Sequence, residues 1–151
     1  MINAYYYETE IGKLGIVENG TAITHIYFGG VIPEDINIIE TLLLKKANKE
    51  LQEYFTGERK TFSLPLEPQG TEFQQKVWKS LQEIPYGKTC SYKNIAENIG
   101  NIKASRAVGM ANNKNPIPIL IPCHRVIGAN GKLVGYAGGL ELKEKLLRTE
   151  K

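Results

Sequence analysis

The chain has 151 residues, of which 42% are hydrophobic and 23% charged, enough apolar content for a folded core and too much for a disordered chain. No uninterrupted apolar run approaches the roughly 20 residues of a bilayer-spanning helix, and the opening MINAYYYETE lacks the basic and apolar regions of a secretory signal, so neither membrane nor export is expected. The net charge of +3 is unevenly placed: residues 1–69 carry six Lys and Arg against ten Asp and Glu, net −4, and residues 70–151 carry thirteen against six, net +7, which points to a polyanion as partner of the second half.

In chain order, the first part reads as α/β. Strand-like residues 5–7 and 15–18 lead into Asn19-Gly20, a favoured two-residue hairpin turn, and a return strand over 21–28 ends at Gly29-Gly30. His25 alternates with Ile23 and Tyr27 on that strand, the pattern of a structural or surface histidine. A helix is predicted next, with Ile36, Ile39, Leu43, Ala47, Leu51 and Tyr54 on one apolar face and Gly57 as its C-terminal cap. Residues 63–70 (SLPLEPQG) hold two prolines and a glycine, and the domain boundary is placed there, giving domains 1–68 and 69–151.

The second part reads as mainly helical. Thr71 caps a helix with Phe73, Val77, Leu81 and Ile84 on its apolar face, broken by Pro85-Tyr86-Gly87. A second helix from about Ser91 presents Tyr92, Ile95, Ala96 and Ile99, and Gly100-Asn101 makes a short turn. A third helix over 103–113 turns Ala104, Ala107, Val108 and Ala111 inward, so the pair reads as a helix-turn-helix. Its outward face is Ser105, Arg106, Gly109, Asn112 and Asn113, small or polar residues that suit a DNA groove. The same spacing also fits an ordinary helix hairpin, and pattern alone does not choose between them.

Residues 116–122 (PIPILIP) then lead to Cys123-His124-Arg125-Val126. Three prolines in seven positions exclude a continuous helix and predict an extended backbone that holds the thiol in place. A free thiol has a pKa of about 8.5, so reaction near neutral pH needs a base or an electropositive setting. Vicinal His124 and Arg125 could supply both, but neighbours on an extended chain point in opposite directions, so His124 is expected to act on Cys123 through a bridging water. The bland alternative is a buried structural cysteine. The chain's two cysteines, Cys90 and Cys123, read as thiols in a reducing cytoplasm, and with His25 and His124 they show no metal-site spacing, so no metal or cofactor is expected.

Ile-Pro-Cys-His-Arg-Val at 121–126 resembles the active-site signature of the O6-alkylguanine-DNA alkyltransferases. Pro85-Tyr86-Gly87, Ser91-Tyr92, Arg106-Ala107-Val108-Gly109, Asn115-Pro116 and the run from Gly135 through Tyr136, Ala137 and Gly138 to Gly139 follow in the family's order. The resemblance covers about half the chain, from Phe73 onward. It implies an RNase H-like α/β domain followed by a winged helix-turn-helix, and direct-reversal repair: irreversible, single-turnover transfer of an alkyl (methyl) group from O6-alkylguanine in DNA to the protein. The partner is then double-stranded DNA carrying O6-alkylguanine, with O4-alkylthymine a second candidate lesion, and a monomer is expected.

The resemblance also distributes roles. Cys123 resembles the acceptor nucleophile, His124 the base that takes its proton through water, and Glu150 the carboxylate that orients the histidine. Leu142, Leu146 and Glu150 are spaced by four, which places the carboxylate on the apolar face of a helix from about Leu140, although a frayed terminal residue fits as well. Tyr92 resembles the hydroxyl donor to the guanine, against a core-packing alternative. Arg106 resembles the finger that fills the gap left by the extruded base, against a solvated arginine. Asn115 resembles the tie between recognition helix and cysteine segment, against a helix C-cap. Tyr136, Ala137 and Gly138 resemble the loop beside the alkyl group. Ala137 replaces the serine of human-type members, so only a backbone N–H is left there to face O6. Two rivals are a lesion-binding relative that does not repair, which lacks the cysteine, and a Cys-His hydrolase, which brings its histidine from a distant part of the chain.

Overall fold

The computed structural model describes residues 1–136 and 138–151. They form two compact units, Met1–Gln69 and Gly70–Lys151, one α/β and one mainly helical, the fold class the sequence predicts.

The first unit is a four-stranded sheet in the order β3-β2-β1-β4. Strand β1 (Asn3–Thr9) pairs antiparallel with β2 (Gly12–Glu18), which pairs antiparallel with β3 (Ile23–Phe28). The tight hairpin joins β1 to β2, where Thr9 faces Gly12. Asn19-Gly20, predicted as a two-residue turn, lies in a wider connection closed by Asn19 N–H on Ala22 O (3.0 Å), with a bulge at Val17 and Glu18. His25 is half-buried and stacks on Tyr27, in keeping with a structural role.

Residues 36–39 depart from the helical reading. Asn37–Ile38 form β4, parallel to β1, and the helix α1 begins only at Leu42 (Leu42–Phe55), capped by the Thr41 hydroxyl accepting from Leu44 N–H at 3.3 Å. Its buried face is Leu44, Ala47, Leu51 and Tyr54, so Leu44 takes the place expected of Leu43. Gly57 follows the helix with φ 81°, the left-handed value a glycine adopts without a Cβ penalty. Part of the proline-rich boundary is also drawn into this unit: Ile23 N–H donates to Pro65 O and Glu67 N–H to Ile23 O, each at 2.9 Å.

The second unit opens with α2 (Glu72–Leu81), started by a reciprocal capping box between Thr71 and Gln74. Val77, Trp78 and Leu81 are buried, and the Trp78 indole N–H donates to Ala111 O at 2.8 Å, tying α2 to the later helix α4. A second capping box, Ser91 with Asn94, starts α3 (Tyr92–Asn98). After the turn at Gly100, α4 (Ser105–Asn113) completes the helix-turn-helix. Short strands β5 (Cys90–Ser91) and β6 (Val126–Ile127) pair in parallel, with Cys90 opposite Val126, which anchors the start of α3 beside the reactive segment. The last helix is α5 (Leu140–Thr149). No helix among the described residues is long and apolar enough to cross a membrane.

Candidate active site

The segment before Cys123 is not extended. Asn115, just past α4, donates from Nδ2 to Ile121 O (2.8 Å) and accepts the Ile117 N–H on Oδ1 (3.0 Å), so one amide folds residues 115–121 into a closed loop. Ile119 sits at φ 73°, a conformation that costs a β-branched residue about 1–3 kcal/mol. Burial of Ile117, Ile119 and Ile121 offsets that strain. Pro122 ends the loop and Cys123–Arg125 form one turn of 3-10 helix. Proline is harmless before a helical turn, where its missing N–H has no partner to lose.

That turn changes what His124 and Arg125 can reach. On an extended chain they would diverge, but both side chains converge on Glu150, which caps the C-terminus of α5. His124 Nε2 lies 2.6 Å from Glu150 Oε2. Arg125 donates from Nε to Oε1 (2.9 Å) and from Nη2 to Oε2 (3.0 Å), a side-on pair, while its Nη1 donates to Ile84 O at 2.7 Å. Gly87 N–H adds a bond to Oε1 at 3.1 Å. Gly87 has φ 78° and a Cβ there would meet Glu150 O at 3.2 Å, so the Pro85-Tyr86-Gly87 turn suits a glycine on both counts. Glu150 is 4% exposed and His124 fully enclosed, which argues against a frayed, solvated Glu150.

Cys123 is 5% exposed, and burial pushes its thiol up to about 11. Hydrogen bonds from the side chains of Asn115 and Tyr136 and from the cysteine's own backbone N–H, together with the Lys143 ammonium, pull the other way and favour the thiolate. Lys143 has an enclosed side chain, and its Nζ donates to Val134 O (2.8 Å) and Gly135 O (3.3 Å). Burial lowers its pKa to about 8, and the charge of a Cys123 thiolate opposes that shift. Tyr92, the first residue of α3, is half-buried and donates its hydroxyl to the same Val134 O at 3.0 Å. Its pKa is raised by burial first and then by the charge at Cys123. His124 is driven down by burial, against the pull of Glu150.

The structure thus brings Cys123, His124, Glu150, Tyr92, Asn115 and Tyr136 into one neighbourhood, while Gly138 lies in the turn before α5. Ala137 lies outside the described residues. Arg106 and Asn113 are exposed on α4 and Ser105 is half-buried at its start, consistent with the expected outward face. Asn112 is not on that face: it is buried, and its Nδ2 points to Cys123 O at 3.4 Å. Ala107, expected inward, is exposed. The buried positions of α4 are Val108, Ala111 and Asn112, so the helix is rotated relative to a phase read from its alanines. Lys143 is central here and was not picked out by sequence, and Arg125, read there only as positive charge near the thiol, is found paired with Glu150. Arg125 lay inside the quoted signature, but the extended reading turned it away from His124, and no local signal marks a lysine between Leu142 and Leu146 as buried.

Comparison with known proteins places this geometry. Residues 72–151 match the family described as 6-O-methylguanine DNA methyltransferase, DNA binding domain, and residues 2–68 match its ribonuclease-like domain. A methylated-DNA--protein-cysteine methyltransferase of Methanosarcina barkeri is 49% identical over 148 residues, covering 95% of this chain and 93% of its own. The constitutive protein of that name in Bacillus subtilis is 49% identical over 152 residues, covering 95% and 92%. Among solved structures, Mycobacterium tuberculosis O6-methylguanine methyltransferase superposes with a TM-score of 0.92 at 42% identity, over 100% of this chain and 93% of that one. The same organism's OGT in complex with DNA gives 0.93 at 43% identity, over 99% and 92%. The chain belongs to the 6-O-methylguanine DNA methyltransferase family.

Proposed function

We propose that this chain repairs O6-alkylguanine in duplex DNA by direct reversal, with Cys123 as the alkyl acceptor. The observation that carries the assignment is the enclosed Cys123-His124-Glu150 set beside a helix-turn-helix, inside a chain matched by both family domains. The lesion leaves the base stack, at a cost of a few kcal/mol that is smaller for a poorly paired alkylated base. Arg106 on α4 fills the vacated space, and Ser105 and Asn113 contact the DNA backbone. Asn112, being buried, serves the cysteine loop.

The chemistry is one displacement. The Cys123 proton passes through a bridging water to His124, whose imidazolium forms beside Glu150. A bond forms from Sγ to the alkyl carbon as the carbon–O6 bond breaks, and the electron pair goes to the guanine. Tyr92 and the backbone of the 136–138 loop donate hydrogen bonds to that developing charge. Tyr92 must release Val134 O to do so. The product thioether has no hydrolytic exit, so each molecule acts once. O4-alkylthymine presents the same alkyl–oxygen bond and is the second substrate proposed. A monomer carries every residue named, and the cysteines, both thiols, suit a reducing cytoplasm.

Excess duplex containing O6-methylguanine should add a single methyl group, about 14 Da, and then stop. Peptide mapping should place it on Cys123, with Cys90 unmodified as an internal control. Turnover, or methylation of Cys90 instead, would overturn the assignment.

A further inference from the structure

Arg125 has no part in the chemistry above, yet it makes three hydrogen bonds inside the site. It is 6% exposed. Three of its nitrogens are engaged: Nε and Nη2 each meet a different oxygen of Glu150, and Nη1 meets Ile84 O. The guanidinium also lies over the Tyr86 ring, 5.8 Å from its centroid. Burying a charged pair is expensive, and a well-packed apolar pair of similar volume is often as stable or better. Such a pair is therefore weak support for a purely structural role.

The distribution of charge suggests what the pair does. Glu150 Oε2 also faces His124 Nε2 at 2.6 Å. In an enclosed site, a carboxylate standing alone at that distance would strongly favour an imidazolium, because the Coulomb attraction is little screened. A ring already protonated cannot accept the Cys123 proton. We propose that Arg125 is a positioning residue of the transfer reaction, holding Glu150 in a neutral pair so that the carboxylate orients the His124 ring without charging it. This rests on the reading of Cys123 and His124 given above.

The other charges around His124 act in the same sense. From α5, Glu150 is the only group that raises its proton affinity, and Lys143 lowers it, as does Arg125 within its own turn. Helix α2 also packs on the turn, but its buried residues Val77, Trp78, Ser80 and Leu81 are uncharged. With Nε2–H directed at Glu150, Nδ1 is the basic nitrogen of the resting ring. When the Cys123 proton arrives and Sγ takes up the alkyl carbon, the new imidazolium is held by the carboxylate of a pair that was neutral until then. Arginine suits this role better than lysine because its planar fork fixes both carboxylate oxygens at once.

The test is a titration of the histidine rings by NMR in the full chain. His25 and His124 are the only histidines, and His25, in the other unit, serves as reference. Arg125→Met should move the His124 midpoint upward by about one pH unit or more. The low-pH limb of the single-turnover rate on methylated duplex should move up with it. Arg125→Lys keeps the charge and loses the fork, so the midpoint should stay in place while the rate plateau falls severalfold. A His124 midpoint unmoved in folded Arg125→Met, or equally raised in Arg125→Lys, would overturn the proposal. If the methionine variant does not fold, the lysine variant decides alone, and a wild-type plateau there refutes positioning. Failure of wild-type Cys123 to take an alkyl group would instead overturn the reading of the site, and leave the histidine titration readable.

Discussion

Glu150 accepts four hydrogen bonds from three residues, so replacing it has two separable effects. Glu150→Gln removes the charge that stabilises the His124 imidazolium, and transfer should slow by roughly tenfold or more if His124 acts as the base. It also leaves Arg125 buried without its counter-charge, which costs about 3–5 kcal/mol. A lowered melting temperature together with slower transfer, measured where the variant is still folded and with unchanged duplex affinity, is the expected result. Lost stability with a wild-type transfer rate would show that the carboxylate only holds the structure together. Glu150 came into view through the family resemblance, and its spacing from Leu142 and Leu146 supported that reading without deciding against a frayed terminus. The pairing of Arg125 with Glu150 stayed out of view because it depends on one turn of 3-10 helix, and three nearby prolines argued for extension. Pro122 in fact precedes that turn, where proline is tolerated.

Helix α4 presents Arg106 to the outside and Asn112 to the cysteine segment, and Asn115, just past its end, holds the same segment. Arg106→Ala should slow repair of a methylated duplex and leave reaction with free O6-benzylguanine nearly unchanged, because a free base needs no extrusion. Comparison of the two single-turnover rates checks this, and equal loss on both would make Arg106 structural. The existence of α2 and α3 was legible because Thr71 and Ser91 mark their starts ahead of residues spaced for one apolar face, whereas α4, which has no side-chain cap, was legible from that spacing alone. The rotation of α4 was less so. Alanine contributes too little apolar surface to set the phase of a helix, and Ala107 came out exposed while Asn112 went in. At 36–39 the failure has another cause: Ile36 and Ile39 have helical spacing from the residues of α1, but β1 offers Asn37 and Ile38 a strand partner, and pairing across the sheet overrides a local pattern.

The whole chain is nearly balanced in charge, but its halves are not: the unit bearing the helix-turn-helix is net +7 and the other net −4. Affinity for duplex DNA should fall steeply as salt rises, through release of condensed counterions. Titrating unmodified duplex at several salt concentrations measures the slope, and a flat response would mean that the basic half does not contact phosphate. Charge-reversing substitutions at the exposed Lys13 and Lys49 of the acidic half should leave that slope unchanged.

Glu150 meets Gly87 across 63 positions of the chain, His124 across 26 and Arg125 across 25, whereas the caps of α2 and α3 close over three. Closing a loop costs entropy that grows with the logarithm of its length, so the helices can form while these long-range bonds are still open. The order of events in time follows from that geometry. A partly folded second unit can display a nearly complete helix-turn-helix while His124 and Arg125 have not yet met Glu150. The Cys123-His124-Glu150 set is complete only when the stretch from 124 to 150 has closed, which makes its assembly a late event in the folding of the unit.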